Sequence, residues 1–308
     1  MISILLATYN GEKYIKEQID SLLKQTYQDF KLFISDDSST DSTYSIIQDY
    51  AKKHPNKIFV TQNENNSSSA KLNFFQMMTQ HKSDYIMLCD QDDVWLPDKI
   101  EKSLHKMKEL EKKHGSSTPL LVHTDLTIVD ENLNTISSSY FKTEDINLEK
   151  KTLNKIIARN ITTGCTVIYN RALAERIDTT PKFMIMHDWW LTLAACALGK
   201  IDTIHEPTIL YRQHADNEIG IVKVKTLSHM FHKLVNYKDA KKVLTDTYNQ
   251  AECFLNVYRD RLSDTQIDFL EQFIDIPNHS KLVRWIMICR LDVLKKGILR
   301  KISSFIFI

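Results

Sequence analysis

The sequence predicts an α/β fold: a mixed, mostly parallel sheet flanked by helices, with a C-terminal helical appendage. Three observations carry this expectation. Short apolar runs alternate with amphipathic stretches over residues 1–113 in the order β-α-β-α-β-α-β, the pattern of parallel strands with helices on both sheet faces. The chain has 308 residues, 43% apolar and 26% charged, enough for one sizeable domain and an addition. Its net charge of +1 is unevenly placed: residues 221–308 carry 15 Lys and Arg against 9 acids, residues 1–220 carry 25 against 30. An acidic front and a basic tail point to two jobs, so the expected division is 1–220 and 221–308.

The elements follow in order. Ile2 to Ala7 reads as the first strand, and Glu12 to Lys24 has helical periodicity through Tyr14, Ile15, Ile19, Leu22 and Leu23. Phe30 to Ser35 is a second strand, and Ser39 or Asp41 caps a helix that runs to about Lys53. Ile58 to Thr61 is a third strand, Asn63 to Ser69 a polar loop, and Leu72 to Thr79 a helix. Tyr85 to Cys89 is an apolar fourth strand, and Pro97 opens a charged helix to about Lys113. The pattern then changes. Leu120 to His123 is a strand, Asp130 to Asn134 a turn, and Ser137 to Glu149 a polar loop. Thr166 to Tyr169 is strand-like, Trp189 to Leu198 helical, and Ile209 to Tyr211 a short strand. From about Lys223 onward the sequence reads as helix, broken at Pro277.

The five cysteines, Cys89, Cys165, Cys196, Cys253 and Cys289, have no C-x-x-C spacing. They read as buried thiols of a reducing compartment, not as a zinc site. Met1 leads straight into a strand, so no signal peptide is expected, and no run reaches the ~20 apolar residues of a spanning helix.

Four clusters carry the candidate chemistry. Thr8-Tyr9-Asn10-Gly11-Glu12 follows strand one and lacks the spaced glycines of a phosphate-cradling turn. Asp36-Asp37 ends strand two, and adjacent carboxylates there repel each other unless something answers them. One could accept a hydrogen bond from a nucleobase N–H. Asp90-Gln91-Asp92-Asp93 ends strand four, at the sheet edge where open α/β folds bind ligands. Carboxylates two apart can converge on one divalent cation, which can grip a diphosphate. His187-Asp188-Trp189-Trp190 opens a helix, and Asp188 is there either an N-cap or a general base. His214 joins this chemistry if it meets the third cluster, since imidazole with carboxylates suits Mn²⁺ or Mg²⁺.

With these clusters in this order, followed by Tyr211-Arg212-Gln213-His214, the chain resembles glycosyltransferase family 2 over roughly residues 1–215. These are inverting enzymes with the GT-A fold. Cys-Asp-Gln-Asp-Asp-Val-Trp, His-Asp-Trp-Trp and Tyr-Arg-Gln-His are most similar to bacterial polysaccharide rhamnosyltransferases. The resemblance implies that Thr8, Tyr9 and Glu12 line the base and ribose of a nucleotide-sugar donor. It implies that Asp37 or Asp36 bonds the base, that Lys71 approaches the nucleotide, and that Asp90, with Gln91 beside it, contacts ribose or donor sugar. Asp92 and His214 would hold Mn²⁺ or Mg²⁺, Asp93 would shape the turn, and Asp188 would be the catalytic base. Trp95, Trp189 and Trp190 would wall the acceptor site, the alternative for Trp190 being ordinary core. The implied donor is a dTDP- or UDP-sugar, with dTDP-rhamnose the nearest guess. The implied acceptor is a lipid-linked oligosaccharide or a growing polysaccharide.

Two departures from the family pattern stand out. Ser67-Ser68-Ser69-Ala70 lies where many relatives have glycine, and His187 where many have Glu. The Gln-x-x-Arg-Trp signature of processive relatives is absent from its usual place, which implies one sugar added per encounter.

Residues 281–308 hold seven Lys or Arg and one acid, interleaved with large apolar residues. They read either as a packed helix or as a segment lying on an anionic cytoplasmic membrane face; the second reading makes the protein cytoplasmic and peripheral. Nucleic acid is a poor partner for an acidic catalytic half. A sugar nucleotidyltransferase would need a Gly-rich basic loop after strand one. A non-catalytic sugar-binding module would tolerate loss of Asp92, Asp188 or His214, and all three are present.

Overall fold

The computed structural model describes residues 1–63, 69–146, 148–149, 151–177, 179–214 and 237–294. The start of the helix expected from Lys223, the Ser67-Ser68 part of the serine loop, and residues 295–308 of the basic tail lie outside the described residues. The chain divides into two compact units: Met1–Glu144, Thr162–Thr180 and Leu198–Gln213 form one, and Asp145–Ile161, Pro181–Ala197 and His214–Ile308 the other. This differs from a single boundary at residue 220, because two internal segments group with the C-terminal helices.

The first unit is built on one sheet. Its strands are β1 (Ile2–Thr8), β2 (Phe30–Asp36), β3 (Ile58–Gln62), β4 (Tyr85–Cys89), β5 (Val94–Trp95), β6 (Leu120–Val129), β7 (Thr135–Ser137), β8 (Val167–Asn170) and β9 (Lys200–Arg212). Their order is β3-β2-β1-β4-β8-β6-β9-β5, with β7 on β6. Ladders among β3, β2, β1 and β4 are parallel, as is β6–β9; β8, β7 and β5 pair antiparallel. The sheet is thus mixed, with its parallel half where βαβ alternation was legible. β1 is central, and Ile2, Ile4, Leu5 and Leu6 are fully buried, as a strand covered on both faces requires.

Helices α1 (Ile15–Leu23), α2 (Thr43–Lys53), α3 (Ala70–Gln80) and α4 (Lys99–His114) connect the strands. At the start of α2, Asp41 Oδ1 accepts the Thr43 N–H at 2.9 Å. Ser39 does not cap this helix, contrary to one expectation: its hydroxyl and amide both donate to Asp36. β6 and β9 extend well beyond their predicted limits. β6 continues through His123, Thr124 and Asp125, polar residues that are buried and bonded rather than solvated.

The second unit contains α5 (His187–Leu198), α6 (Tyr237–Tyr258), α7 (Asp264–Asp275) and α8 (Lys281–Arg290). The inner face of α5 is apolar, and Trp190 meets Phe254 edge to face at a centroid distance of 5.4 Å. Ser263 and Gln266 form a capping box that starts α7. α8 leaves Leu282 66% and Ile286 59% exposed. Among the described residues no helix is long and apolar enough to cross a membrane. None of the five cysteines forms a disulfide, but only Cys89 and Cys165 are fully buried; Cys289 is exposed, which corrects the expectation of uniformly buried thiols.

Candidate active site

Parallel pairing brings the acidic strand ends together. Thr8 registers with Asp36 across β1–β2, and Leu6 with Cys89 across β1–β4. The carboxyl ends of three adjacent strands therefore converge, and with them the first three clusters.

The structure separates the two aspartates that end β2. Asp36 is fully buried; Oδ1 accepts from the Thr8 hydroxyl at 2.9 Å and the Ser39 hydroxyl at 2.6 Å, and Oδ2 from the Ser39 N–H at 2.9 Å. Asp36 therefore ties β1 to the following turn, and the Thr8 hydroxyl is engaged there rather than with a ribose. Asp37 accepts from Asn63 Nδ2 at 3.5 Å, and its N–H donates to the Thr8 carbonyl at 2.9 Å. The loops after β1 and β2 are laced together: Asn10 Oδ1 accepts the Thr40 N–H at 2.8 Å, and Glu12 Oε2 the Ser42 N–H at 2.8 Å. Glu12 thus braces α2. The Tyr9 side of the loop stays open, with that residue 49% exposed.

A second strap joins the β1 loop to the Asp90–Asp93 turn. Gln91 Nε2 donates to the Tyr9 carbonyl and Gln91 Oε1 accepts the Tyr9 N–H, both at 2.9 Å. This amide approaches the chain at Gly11 so closely that a β-carbon there would collide with it. A larger residue at Gly11 would have to displace the Gln91 side chain and so break the strap.

The turn itself is graded by burial. Asp90 and Asp92 are half-buried and Asp93 is fully buried. Burial pushes the Asp93 carboxyl well above the ordinary carboxylate range, and the Asp92 and Asp90 carboxylates push it further. Asp93 Oδ1 accepts the Arg212 N–H at 3.1 Å. Nearby, Lys99 is fully buried, its Nζ 4.5 Å from the centre of the Trp95 ring, and burial lowers it to about 8. Cys89, Cys165 and Asp93 act on it in the opposite direction.

The donor set fits a hard cation on one side only. Ligand atoms of Asp90, Asp93 and Cys165 lie within 4.8 Å of one another. Burial, with Asp93 and Asp90 adding to it, holds the Cys165 thiol far above its usual value, so it stays protonated and suits Mn²⁺ or Mg²⁺ poorly. The half-buried Asp90 carboxylate is the oxygen donor in this group suited to such an ion; Asp92, also half-buried, and His214 are not among its three residues.

The remaining expected residues divide as follows. Lys71 is half-buried in the first turn of α3. His214 lies two residues past the end of β9, is half-buried and belongs to the second unit. In that unit α5 begins at His187, so Asp188 lies inside the first turn and not at the N-cap. Asp188 Oδ1 accepts the N–H of Trp189 at 2.6 Å. His187 is buried, and burial lowers it to about 3. Trp189 is half-buried, with its indole N–H donating to the Ile156 carbonyl at 2.7 Å. Two of the three tryptophans are not acceptor walls. Trp190 is 0% exposed, and Trp95 is 2% exposed with Lys99 over its ring, so neither offers a face to a sugar.

Two residues of this site escaped the sequence reading. Arg212 was visible only as part of Tyr-Arg-Gln-His, yet it is almost fully buried and its Nε donates to the Asp92 carbonyl at 2.8 Å. Lys99 looked like one charge among many on a charged helix. Pro97 and Trp95 just before it were the available signal that this end of the helix turns inward.

Residues 3–177 match the family model described as Glycosyl transferase family 2. The chain is 30% identical over 236 residues to the dTDP-rhamnosyl transferase RfbG of Shigella flexneri, covering 70% of this chain and 73% of that one. It is 26% identical over 220 residues to an uncharacterized glycosyltransferase of Rickettsia typhi, covering 70% of this chain and 64% of that protein. Among solved structures, S. aureus TarS 1-349 in complex with UDP-GlcNAc superposes with a TM-score of 0.60 at 20% identity, over 99% of this chain and 86% of that one. The mannosyltransferase PcManGT from Pyrobaculum calidifontis, in complex with GDP-Man and Mn²⁺, superposes with a TM-score of 0.53 at 14% identity, over 98% and 78% of the two chains.

Proposed function

This chain belongs to glycosyl transferase family 2 and has the GT-A fold, and from that premise we propose that it is a metal-dependent inverting transferase that moves one sugar from a nucleotide-diphosphate donor to a hydroxyl of a cell-surface glycan. The observation that carries this reading is the convergence of Tyr9, Asp37 and the Asp90–Asp93 turn at the ends of β1, β2 and β4. That arrangement offers a base contact and a cation-binding turn on one sheet edge.

In this reading Tyr9 and Asp37 receive the base, Lys71 approaches the nucleotide, and Asp90 meets the ribose or donor sugar. Asp92 and His214 would hold Mn²⁺ or Mg²⁺, and the ion would supply positive charge that favours the departing diphosphate over the bound substrate. Asp188 takes the proton of the acceptor hydroxyl as that oxygen attacks the anomeric carbon. The bond from that carbon to the diphosphate breaks, and the nucleoside diphosphate leaves. A single displacement inverts the anomeric centre. Trp189 is the remaining aromatic candidate for the acceptor side.

The donor we favour is dTDP-rhamnose, supported by the 30% identity to a dTDP-rhamnosyl transferase; the UDP-GlcNAc complex of TarS makes a UDP-hexose the second arm of any test. The acceptor we favour is lipid-linked or a growing polysaccharide. Exposed Leu282 and Ile286 on α8, beside Lys281 and Arg290, support peripheral contact with an anionic membrane surface. Asp188→Asn tests the chemistry. It should abolish release of nucleoside diphosphate in the presence of acceptor while nucleotide binding survives; full turnover would remove Asp188 from its role.

A further inference from the structure

The Asp90–Asp93 turn is strapped to the β1 loop by the Gln91 amide. It leaves β4 at Cys89 and enters the two-residue strand β5 at Val94. Its carboxylates carry like charges and repel one another. A site that grips a cation and a diphosphate works best when its ligands are in place before the substrate arrives.

A second hold, at Asp92 and Asp93, comes from Arg212, the last residue of β9, whose side chain is 2% exposed. Nε donates to the Asp92 carbonyl at 2.8 Å, and the Arg212 main-chain N–H donates to Asp93 Oδ1 at 3.1 Å. Nη1 donates to the Glu131 carbonyl at 2.6 Å, and Nη2 to the Glu17 carboxylate. The guanidinium carbon lies 4.5 Å from the centre of the Tyr14 ring. Four parts of the first unit thus meet on one buried cation: the acidic turn, the Asp130–Asn134 turn, α1 and β9. Burying a guanidinium is costly unless its donors are answered, and here partners on three segments answer it. Lysine cannot copy this, because it lacks the planar fork of five donors.

We propose that Arg212 is a positioning residue of the donor site, fixing the backbone of Asp92 so that its carboxylate stands ready for a divalent cation and the diphosphate it bridges. This rests on the transferase reading above. The contact is with the Asp92 main chain, so Arg212 acts through Asp92. A residue with only a structural role would lower the melting midpoint and leave ligand affinity alone.

The test compares wild type, Arg212→Lys, Arg212→Gly and Glu17→Gln. Readouts are the melting midpoint, Mn²⁺ binding by electron paramagnetic resonance with and without dTDP or UDP, and the donor KM against kcat. Loss of one charge-assisted hydrogen bond corresponds to about ten- to a hundredfold in affinity. Arg212→Lys should weaken Mn²⁺–nucleotide binding and raise the donor KM by about that factor, with a smaller change in kcat. Guanidinium ion, well below denaturing concentrations, should restore binding to Arg212→Gly. Glu17→Gln keeps both contacts to the turn but loses the ionic anchor at the half-exposed Glu17 (55%), and should show a weaker shift of the same kind. A folded Arg212→Lys protein with wild-type affinity and KM overturns the proposal. If the Arg212 variants do not fold, unchanged affinity in Glu17→Gln overturns it instead. A wild-type chain that binds neither nucleotide overturns the transferase reading itself, an outcome distinct from wild-type binding that Arg212→Lys leaves intact.

Discussion

The side-chain amide of Gln91 pairs with both backbone groups of Tyr9, donating to its carbonyl and accepting from its N–H at 2.9 Å each. The Asp90–Asp93 turn and the exposed Tyr9 are therefore one mechanical unit. Gln91→Leu removes two hydrogen bonds worth about 0.5–1.5 kcal/mol each. It should lower stability by about 1–3 kcal/mol in urea titrations and raise the donor KM. Gly11→Ala drives a methyl into the same amide and should reproduce both effects. The double variant should fall short of the sum, because both changes break the same strap.

Asp36 and Asp37 should separate by experiment. Asp36 answers Thr8 and Ser39 from full burial. Asp36→Ala leaves those donors unanswered and should cost about 3 kcal/mol or more, measured by chemical denaturation. Asp37 is also buried, at 3% exposure, and accepts from Asn63 Nδ2 at 3.5 Å; Asp37→Asn keeps the side chain's shape, so it should cost less stability than Asp36→Ala and weaken nucleotide binding in a calorimetric titration.

The tryptophan pair on α5 makes the opposite kind of contrast. Trp190→Ala opens a cavity against Phe254 and Tyr258 and should cost about 3–5 kcal/mol. Trp189→Ala removes a half-buried ring and one hydrogen bond to Ile156. It should cost less in stability and act mainly on the acceptor KM.

His187 predicts a pH dependence. Burial lowers its folded value to about 3 against an ordinary 6.5. Between those values the unfolded chain holds more protons than the folded one, so stability rises with pH across that window and is lost as pH falls below 6.5. The slope from this one group is at most about 1.4 kcal/mol per pH unit. Melting midpoints from pH 7.5 to 4.5 should fall less steeply in His187→Leu than in wild type.

Much of this was legible in the chain. β1, β2 and β4 are apolar runs in the sequence, and the Asp-rich segments after β2 and β4 marked the edge of the candidate site. The opacity began where polar residues are buried. His123, Thr124 and Asp125 looked like the end of a strand, yet β6 continues through them because Thr203, Thr208, Ser139 and the Phe141 amide answer their side chains. The two-residue β5 is too short to show a period. Lys99 and Arg212 are charged residues with ordinary sequence surroundings, and only the tertiary fold makes them internal. Trp95 was read as an acceptor wall and Trp190 as either wall or core, because tryptophan suits both sugar stacking and core packing. Burial decides for core in each.

The most direct test of the transferase reading is a thermal-shift panel with dTDP-rhamnose, UDP-GlcNAc and GDP-mannose, each with Mn²⁺, Mg²⁺ or EDTA, on wild type and Asp92→Asn. A ligand that binds the native state alone raises the melting midpoint by mass action. The predicted result is a rise with dTDP-rhamnose and metal that EDTA or Asp92→Asn removes. No rise with any nucleotide sugar, with or without metal, would contradict the account.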